Sequence, residues 1–338
     1  MAIVGREKEE VDSARAICEC RATGCAREPN KMIPLASSSF TQGFLRTVLL
    51  LCTNDGSARR SIVKRWLVVP LVNLVIIWGW FPLAAAQTLT AFVGSASKPA
   101  MIEAAQAFEE DTGIHVELHF GGSGSMLSEM ILSKRGDLYC PGSPDYMELA
   151  IAKQAIDAQT VRVVSYLVPA INVAAGNPKG ITGLEDLGRE GVRVAIANPH
   201  SVCVGLYAVE VIEKSGLTDG IRPNIRAYME SCAKTANIVA LGSVDAVIGW
   251  RVFQYWNPER IQTVLLKPEQ LPRLAYIPIA LAATCRDRES AQRFIDFLTS
   301  ERGQSVFVKW GYLATEAEAR KYAPNAALGQ AYELPPGW

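Results

Sequence analysis

The feature that most restricts the fold is an alternation of short apolar segments with amphipathic ones, which begins near residue 89. Residues 89–93 and 115–120 are typical of strands, and residues 98–111 repeat their apolar positions every 3.6 residues, as a helix does. The same pattern predicts further helices at residues 126–134, 204–214 and 232–241. It predicts further strands at residues 137–140, 192–197 and 246–250. Such alternation builds mostly parallel sheets with helices on both faces.

Two longer extended stretches interrupt this pattern, at residues 163–175 and 275–284, and each contains a central proline. We interpret them as crossings between two lobes, near residues 168 and 278. The predicted fold class is therefore α/β and two-lobed, each lobe a mostly parallel sheet flanked by helices, with two hinge crossings. Lobe I is expected at 87–167 and 279–338, and lobe II at 168–278.

The amino-terminal segment has a different character. Residues 66–81 form a run of sixteen residues without a charge, preceded by basic residues and followed by AAAQ at 84–87. This predicts a secretory signal peptide at 59–86, cleaved near Ala86, and a periplasmic protein. An uncleaved anchor is the alternative, but the run is shorter than the roughly 20 residues that span a bilayer. The Arg59-Arg60 pair leaves Sec and twin-arginine export both open.

Residues 1–58 are expected to be a disordered leader or an over-long translation start. The four cysteines of this segment offer a zinc site as an alternative. However, Cys18, Cys20 and Cys25 lack the paired C-x-x-C spacing of such sites.

The charge balance excludes some classes of function. The whole chain has 34 basic and 34 acidic residues, which argues against a nucleic-acid binder. Residues 87–338 contain 23 Lys and Arg against 27 Asp and Glu, a net charge of −4. Four cysteines remain there, at 140, 203, 232 and 285, where an oxidising compartment would allow disulfides.

Four turns between a strand and a helix carry Ser or Gly: GSASK at 94–98, GGSGS at 121–125, NPHSVCVG at 198–205 and ESC at 230–232. Helix amino termini present free N–H groups and a partial positive charge, and Ser hydroxyls add donors. Several such ends that converge form an anion site without Lys or Arg. Ordinary capping, worth about 1 kcal/mol, explains any single turn. Four together favour a site.

Catalytic motifs are weak by comparison. A secreted serine hydrolase would use Ser123 as nucleophile and His200 as base, with Asp186 or Asp245 to orient it. However, GGSGS has Ser where a nucleophile elbow has its last Gly. Residues 87–338 contain no H-E-x-x-H, C-x-x-C or Walker motif, so we predict no metal site and no cofactor.

Several segments resemble, in order and spacing, the periplasmic molybdate-binding proteins of ABC importers, including the tungstate-binding branch. They are FVGS (92–95), FGGSGS (120–125), GDLYCPGS (136–143), ANPHSVCVGLYA (197–208), VDAVIGWR (244–251) and ERGQSVFVKWGY (301–312). The resemblance covers residues 89–322, nearly all of the expected mature chain.

The resemblance implies an anion held between two lobes by neutral donors. Ser95 and Ser123 would donate from lobe I, and the backbone N–H groups of Val204 and Cys232 from lobe II. Trp250 stands where the family often has Tyr; its indole N–H donates only, which suits a fully ionised dianion. Secondary candidates in the same turns are Ser97, Ser125, Ser201 and Cys203.

The implied function is capture of molybdate or tungstate as the ligand, followed by docking on an ABC transporter permease in the membrane. A monomer without nucleic-acid partners is expected. Sulfate, another anion, or a ferric-ion or organic ligand remains an alternative. If the turns of Cys203 and Cys232 face one small anion, their Cα atoms fall within disulfide reach, and we predict that bond.

Overall fold

The computed structural model describes residues 88–330 and 332–338. The predicted leader, the signal peptide with its cleavage site, and the four cysteines before residue 59 lie outside these residues. Within the described residues, no helix is both long and apolar enough to cross a membrane.

Eleven strands are described. They are β1 (Thr88–Gly94), β2 (His115–Gly121), β3 (Leu138–Cys140), β4 (Arg162–Leu167), β5 (Pro169–Ala174), β6 (Val194–Ala197), β7 (Ile225–Met229), β8 (Ala246–Trp250), β9 (Ile261–Leu265), β10 (Arg273–Leu281) and β11 (Ala327–Leu328).

Ten α-helices accompany them. They are α1 (Lys98–Thr112), α2 (Ser123–Ser133), α3 (Pro144–Ala152), α4 (Cys203–Lys214), α5 (Thr218–Ile221), α6 (Cys232–Ala240), α7 (Phe253–Trp256), α8 (Arg288–Thr299), α9 (Glu301–Lys309) and α10 (Glu316–Arg320). A 3-10 turn at Ser95–Ser97 connects β1 to α1.

The strands form two separate sheets. The first has the order β11-β10-β3-β1-β2, with β4 also paired to β10, and the second has the order β7-β6-β8-β5-β9. In both sheets the strand-helix-strand units give parallel pairs, such as β1 with β2 and β6 with β7. The antiparallel pairs involve β5 and β10, the strands beside the crossings. The predicted α/β architecture with two lobes is confirmed.

We call the first sheet with its helices lobe I and the second lobe II. The chain passes from β4 to β5 at Val168 and returns through residues 266–272. The predicted return near residue 278 falls inside β10, which pairs within the first sheet from its first residue.

The two lobes are packed directly against each other. One buried hydrophobic cluster contains Ala96 and Cys140 of lobe I together with Val204, Cys232 and Trp250 of lobe II. The N–H of Gly124, on α2, donates to the carbonyl of Ser201 in lobe II across 2.9 Å. The structure therefore represents a closed arrangement of the lobes.

Candidate functional site

The predicted turns lie where the two lobes meet. In lobe I, β1 leads through the 3-10 turn into α1, and β2 leads into α2 at Ser123. In lobe II, β6 and β7 lead into α4 and α6. Since parallel strands end at the same edge of a sheet, each lobe brings its two turns together.

Ser95 reaches from lobe I to a helix start in lobe II. Its side chain is buried, and its Oγ accepts a hydrogen bond of 3.3 Å from the N–H of Ala233. Ala233 is the second residue of α6, directly after Cys232. The contact identifies Ser95 as the serine of the first turn that faces the opposite lobe.

Ser123 is the first residue of α2 and is also buried. Its Oγ accepts a hydrogen bond of 3.0 Å from the N–H of Gly142, in the turn after β3. A Cβ atom placed on Gly142 would lie 2.6 Å from both the Cys203 Sγ and the Ala96 Cβ. Gly142 thus lets the turns of both lobes approach. The sequence patterns do not predict this role, although the segment PGS, between a strand and a helix, indicates a turn.

Cys203 and Cys232 are the first residues of α4 and α6, and both are buried. Their Sγ atoms lie 3.8 Å apart, and both residues are free thiols. A disulfide requires about 2.05 Å between the sulfur atoms. The predicted proximity is present, but the predicted bond is not formed in this structure, in which the two thiols contact each other without bonding.

The surroundings of the Cys232 thiol locate two more predicted residues. Burial raises its pKa well above the usual value, and the contact with Cys203 raises it further. The Trp250 indole and the backbone N–H of Val204 lower this pKa, because N–H groups near a sulfur favour the thiolate. Apart from this influence on the thiol, a weak acceptor, the buried Trp250 Nε1 atom has no partner of hydrogen-bond geometry within the described residues. Such a donor carries a free-energy cost unless a ligand accepts from it.

The secondary candidates do not extend this cluster as donors. The Ser97 hydroxyl donates to the carbonyl of Gly94 in its own turn, at 3.3 Å. Ser125 is exposed and lines an open groove of about 800 Å³ next to Ser128 and His200. Ser201 contributes its carbonyl oxygen, an acceptor, to the contact with Gly124.

Two tyrosines that the sequence patterns do not predict as site residues hold the turns of lobe I through hydrogen bonds to backbone carbonyls. The Tyr139 hydroxyl donates to the Ser123 carbonyl at 2.9 Å, and the Tyr312 hydroxyl donates to the Ala96 carbonyl at 2.6 Å. Burial raises the pKa of both phenols well above the usual value, so both remain neutral donors. A tyrosine that binds ferric iron does so as the ionised phenolate, so the raised pKa values of these two phenols do not favour that role.

The residues of the alternative hydrolase each have another partner. Ser123 contacts Gly142, and the exposed His200 contacts the Trp338 carbonyl through Nε2 at 2.8 Å. Asp186 binds Thr182, and Asp245 binds Arg193. Within residues 88–330 and 332–338, no cluster of three or more His, Cys, Asp or Glu side chains could hold a metal ion.

Comparison with known proteins places this geometry in a family. Residues 89–313 match the model of the family described as bacterial extracellular solute-binding protein. The chain belongs to that family. The molybdate-binding protein ModA of Escherichia coli strain K12 is 23% identical over 242 residues, which cover 68% of this chain and 90% of ModA.

Solved structures of related fold include two anion-binding proteins. The periplasmic molybdate-binding protein of Azotobacter vinelandii has a TM-score of 0.60 at 14% identity, covering 68% of this solute-binding protein and 100% of that chain. The sulfate-binding protein SubI of Mycobacterium tuberculosis H37Rv also has a TM-score of 0.60, at 19% identity, covering 72% and 93% respectively. At these identities the likeness concerns the fold.

Proposed function

We propose that this solute-binding protein captures a tetrahedral oxyanion, molybdate or tungstate, between its two lobes. One arrangement supports the proposal. Ser95 contacts the start of α6 beside Cys232, and Ser123 contacts Gly142, whose turn approaches Cys203 at the start of α4. Val204, the second residue of α4, and Trp250, whose buried indole N–H has no hydrogen-bond partner, belong to the same buried cluster as Cys232. All of these groups are uncharged.

The chemistry of these groups suits a dianion without protons. Hydroxyl, amide and indole N–H groups donate to oxide oxygens, and the amino termini of α4 and α6 add their dipoles. Hydrogen phosphate carries a proton and requires an acceptor as well, such as a carboxylate. Sulfate requires only donors, as molybdate does, and differs from it mainly in size. The molybdate-binding relatives support the larger anion.

The proposed mechanism is capture without a chemical step. The lobes open about residue 168 and residues 266–272, the anion enters, and contacts from both lobes favour the closed arrangement. The closed form then docks on the permease of an ABC importer. We further propose export to the periplasm after cleavage near Ala86, and a monomeric protein.

Titration calorimetry of the purified protein tests the ligand. We expect micromolar or tighter dissociation constants for molybdate and tungstate, and much weaker binding of sulfate and phosphate. Tighter binding of sulfate, or no binding of any of the four anions, would contradict the proposal.

An ester-hydrolysis assay of the same preparation tests the alternative hydrolase. We expect no turnover. Turnover that is lost in Ser123→Ala would favour the hydrolase over a binding protein.

A further inference from the structure

A buried arginine at the second crossing contacts acidic residues of both lobes. Arg273 is the first residue of β10 and is only 3% exposed. Its Nη1 lies 2.8 Å from the Asp145 Oδ1, and its Nε lies 2.5 Å from the Glu210 Oε2. Asp145 belongs to α3 in lobe I and Glu210 to α4 in lobe II.

Glu210 lies on a helix whose start belongs to the candidate site, and Asp145 lies just after the turn at Gly142, which contacts that site. Asp145 follows Gly142 by three residues, and the N–H of Gly142 donates to Ser123. Val204 is near the start of α4, and Glu210 lies less than two turns further along the same helix. Arg273 is therefore joined, through one short segment on each side, to the lobe I half and the lobe II half of the site.

The rest of the surroundings fix the guanidinium in place. Its Cζ lies 4.3 Å from the centre of the Tyr207 ring, also on α4, which is a cation–π contact. Nη1 also donates to the carbonyls of Gly329 and Gln330. The Ser143 hydroxyl donates to the other carboxylate oxygen of Asp145, at 2.8 Å. The planar guanidinium has fixed N–H donors on two sides, so it can donate hydrogen bonds to two carboxylates at once. A lysine ammonium lacks this fixed geometry.

Removing one partner from such a buried group is costly, because the remaining charge is left without compensation. Since Arg273 and Asp145 belong to lobe I and Glu210 to lobe II, separation of the lobes breaks the ion pair with Glu210. Both ion pairs are present in the closed arrangement, in which the Arg273 Nη2 has no hydrogen-bond partner within the described residues.

We propose that Arg273 is a positioning residue that couples the two halves of the anion site and favours lobe closure. The proposal rests on the proposed function for its ligand, but the coupling of the lobes is independent of which anion binds. Arg273 and Asp145 both belong to lobe I, so the ion pair with Glu210 is the one that crosses between the lobes, and Asp145 orients the guanidinium toward it.

An ion pair and the group that orients it are not independent in a double-mutant cycle. We expect Glu210→Gln to weaken molybdate binding about tenfold, mainly through faster dissociation, and Asp145→Asn to weaken it about threefold. The double variant should lose about tenfold, as Glu210→Gln does, and not the roughly thirtyfold that independent effects would give. Arg273→Lys, which keeps the charge and loses the planar fork, should resemble Asp145→Asn.

Asp245→Asn is the matched control, because it breaks an ion pair with Arg193 within lobe II. Its affinity should change less than twofold. Multiplicative losses in the double variant, or an affinity within twofold of wild type in folded Glu210→Gln, would overturn the proposal.

Small-angle scattering of the ligand-free proteins separates this inference from the proposed function. We expect Glu210→Gln to have a larger radius of gyration than wild type and Asp245→Asn to match wild type. If wild type binds none of the tested anions, the proposed function fails, while a larger radius in Glu210→Gln still supports the coupling. Equal radii for all three proteins would contradict it.

Discussion

The two lobes contribute to the candidate site through different chemistry. Lobe I offers side-chain hydroxyls, Ser95 and Ser123, that already contact backbone N–H groups in the closed structure. Lobe II offers mainly backbone N–H groups, at the starts of α4 and α6, together with the indole N–H of Trp250, which has no hydrogen-bond partner within the described residues. The amino terminus of α4 has no side-chain cap. A side-chain substitution can therefore remove each lobe I donor separately. It cannot remove most of the lobe II donors, because they are backbone N–H groups.

The largest expected effect comes from preventing the two halves from meeting. A Cβ on Gly122, in lobe I, would lie 2.8 Å from the Ser201 carbonyl oxygen and 2.9 Å from that of Glu230, both in lobe II. We expect Gly122→Ala to weaken molybdate binding a hundredfold or more, about 2.8 kcal/mol, measured by calorimetry. Gly220→Ala is the control, because the nearest atom to its new Cβ is 4.0 Å away. Equal affinities for the two variants would show that closure does not bring these surfaces together.

Trp250→Phe tests the side-chain donor predicted for lobe II. The change keeps an aromatic ring beside Tyr207, whose ring centre lies 5.1 Å away, and removes the N–H together with part of the indole. We expect about a tenfold loss of molybdate affinity, since hydrogen bonds to charged groups contribute about 1.5–3 kcal/mol. Trp310→Phe, which loses a contact with Glu103 on lobe I, should leave the affinity unchanged. A Trp250→Phe protein that binds as wild type would place the ligand elsewhere.

The hydroxyls of lobe I should each have a smaller effect. We expect Ser95→Ala and Ser123→Ala to lower the affinity about fivefold, or about 1 kcal/mol, by calorimetry. Ser97→Ala removes a hydroxyl that contacts only its own turn, so it should lower the melting temperature without changing the affinity. A larger effect of Ser97→Ala on binding would reassign the first donor.

The smallest effect concerns pH. An ordinary thiol, with a pKa of about 8.5, would ionise between pH 7 and 9 and repel the anion. Burial raises the pKa of Cys232 above this range, so the thiol stays neutral and binding should not weaken. We expect molybdate affinity to change less than twofold from pH 7 to 9. A loss at pH 9 that disappears in Cys232→Ser would contradict this expectation.

Local patterns predicted the regular elements well. Strand β8 was predicted at its observed bounds, and α1 to within one residue, because their apolar periodicity is unambiguous. The start of α2 was predicted three residues late, since Gly and Ser have low helix propensity while packing at the lobe boundary favours a helix from Ser123. Helix α3 was not predicted, because it follows a segment rich in Pro and Gly.

The candidate site could be predicted only in part. Ser95, Ser123 and the two cysteines lie in turns after strands, and this local signal was enough to expect them near one another. The turn at Gly142, Tyr312 and the Arg273 network depend on contacts between residues far apart in sequence, such as Asp145 and Arg273, which are 128 positions apart. No local pattern reports such pairs.

The position of β10 has a consequence for how the chain folds. Lobe II uses a continuous segment, from β5 to β9, whereas the sheet of lobe I needs β10 as the neighbour of β3 and β4. During synthesis, the strands β1 to β4 must wait until residues 273–281 emerge before that sheet is complete. Lobe II is therefore able to fold first, although the polypeptide begins lobe I earlier.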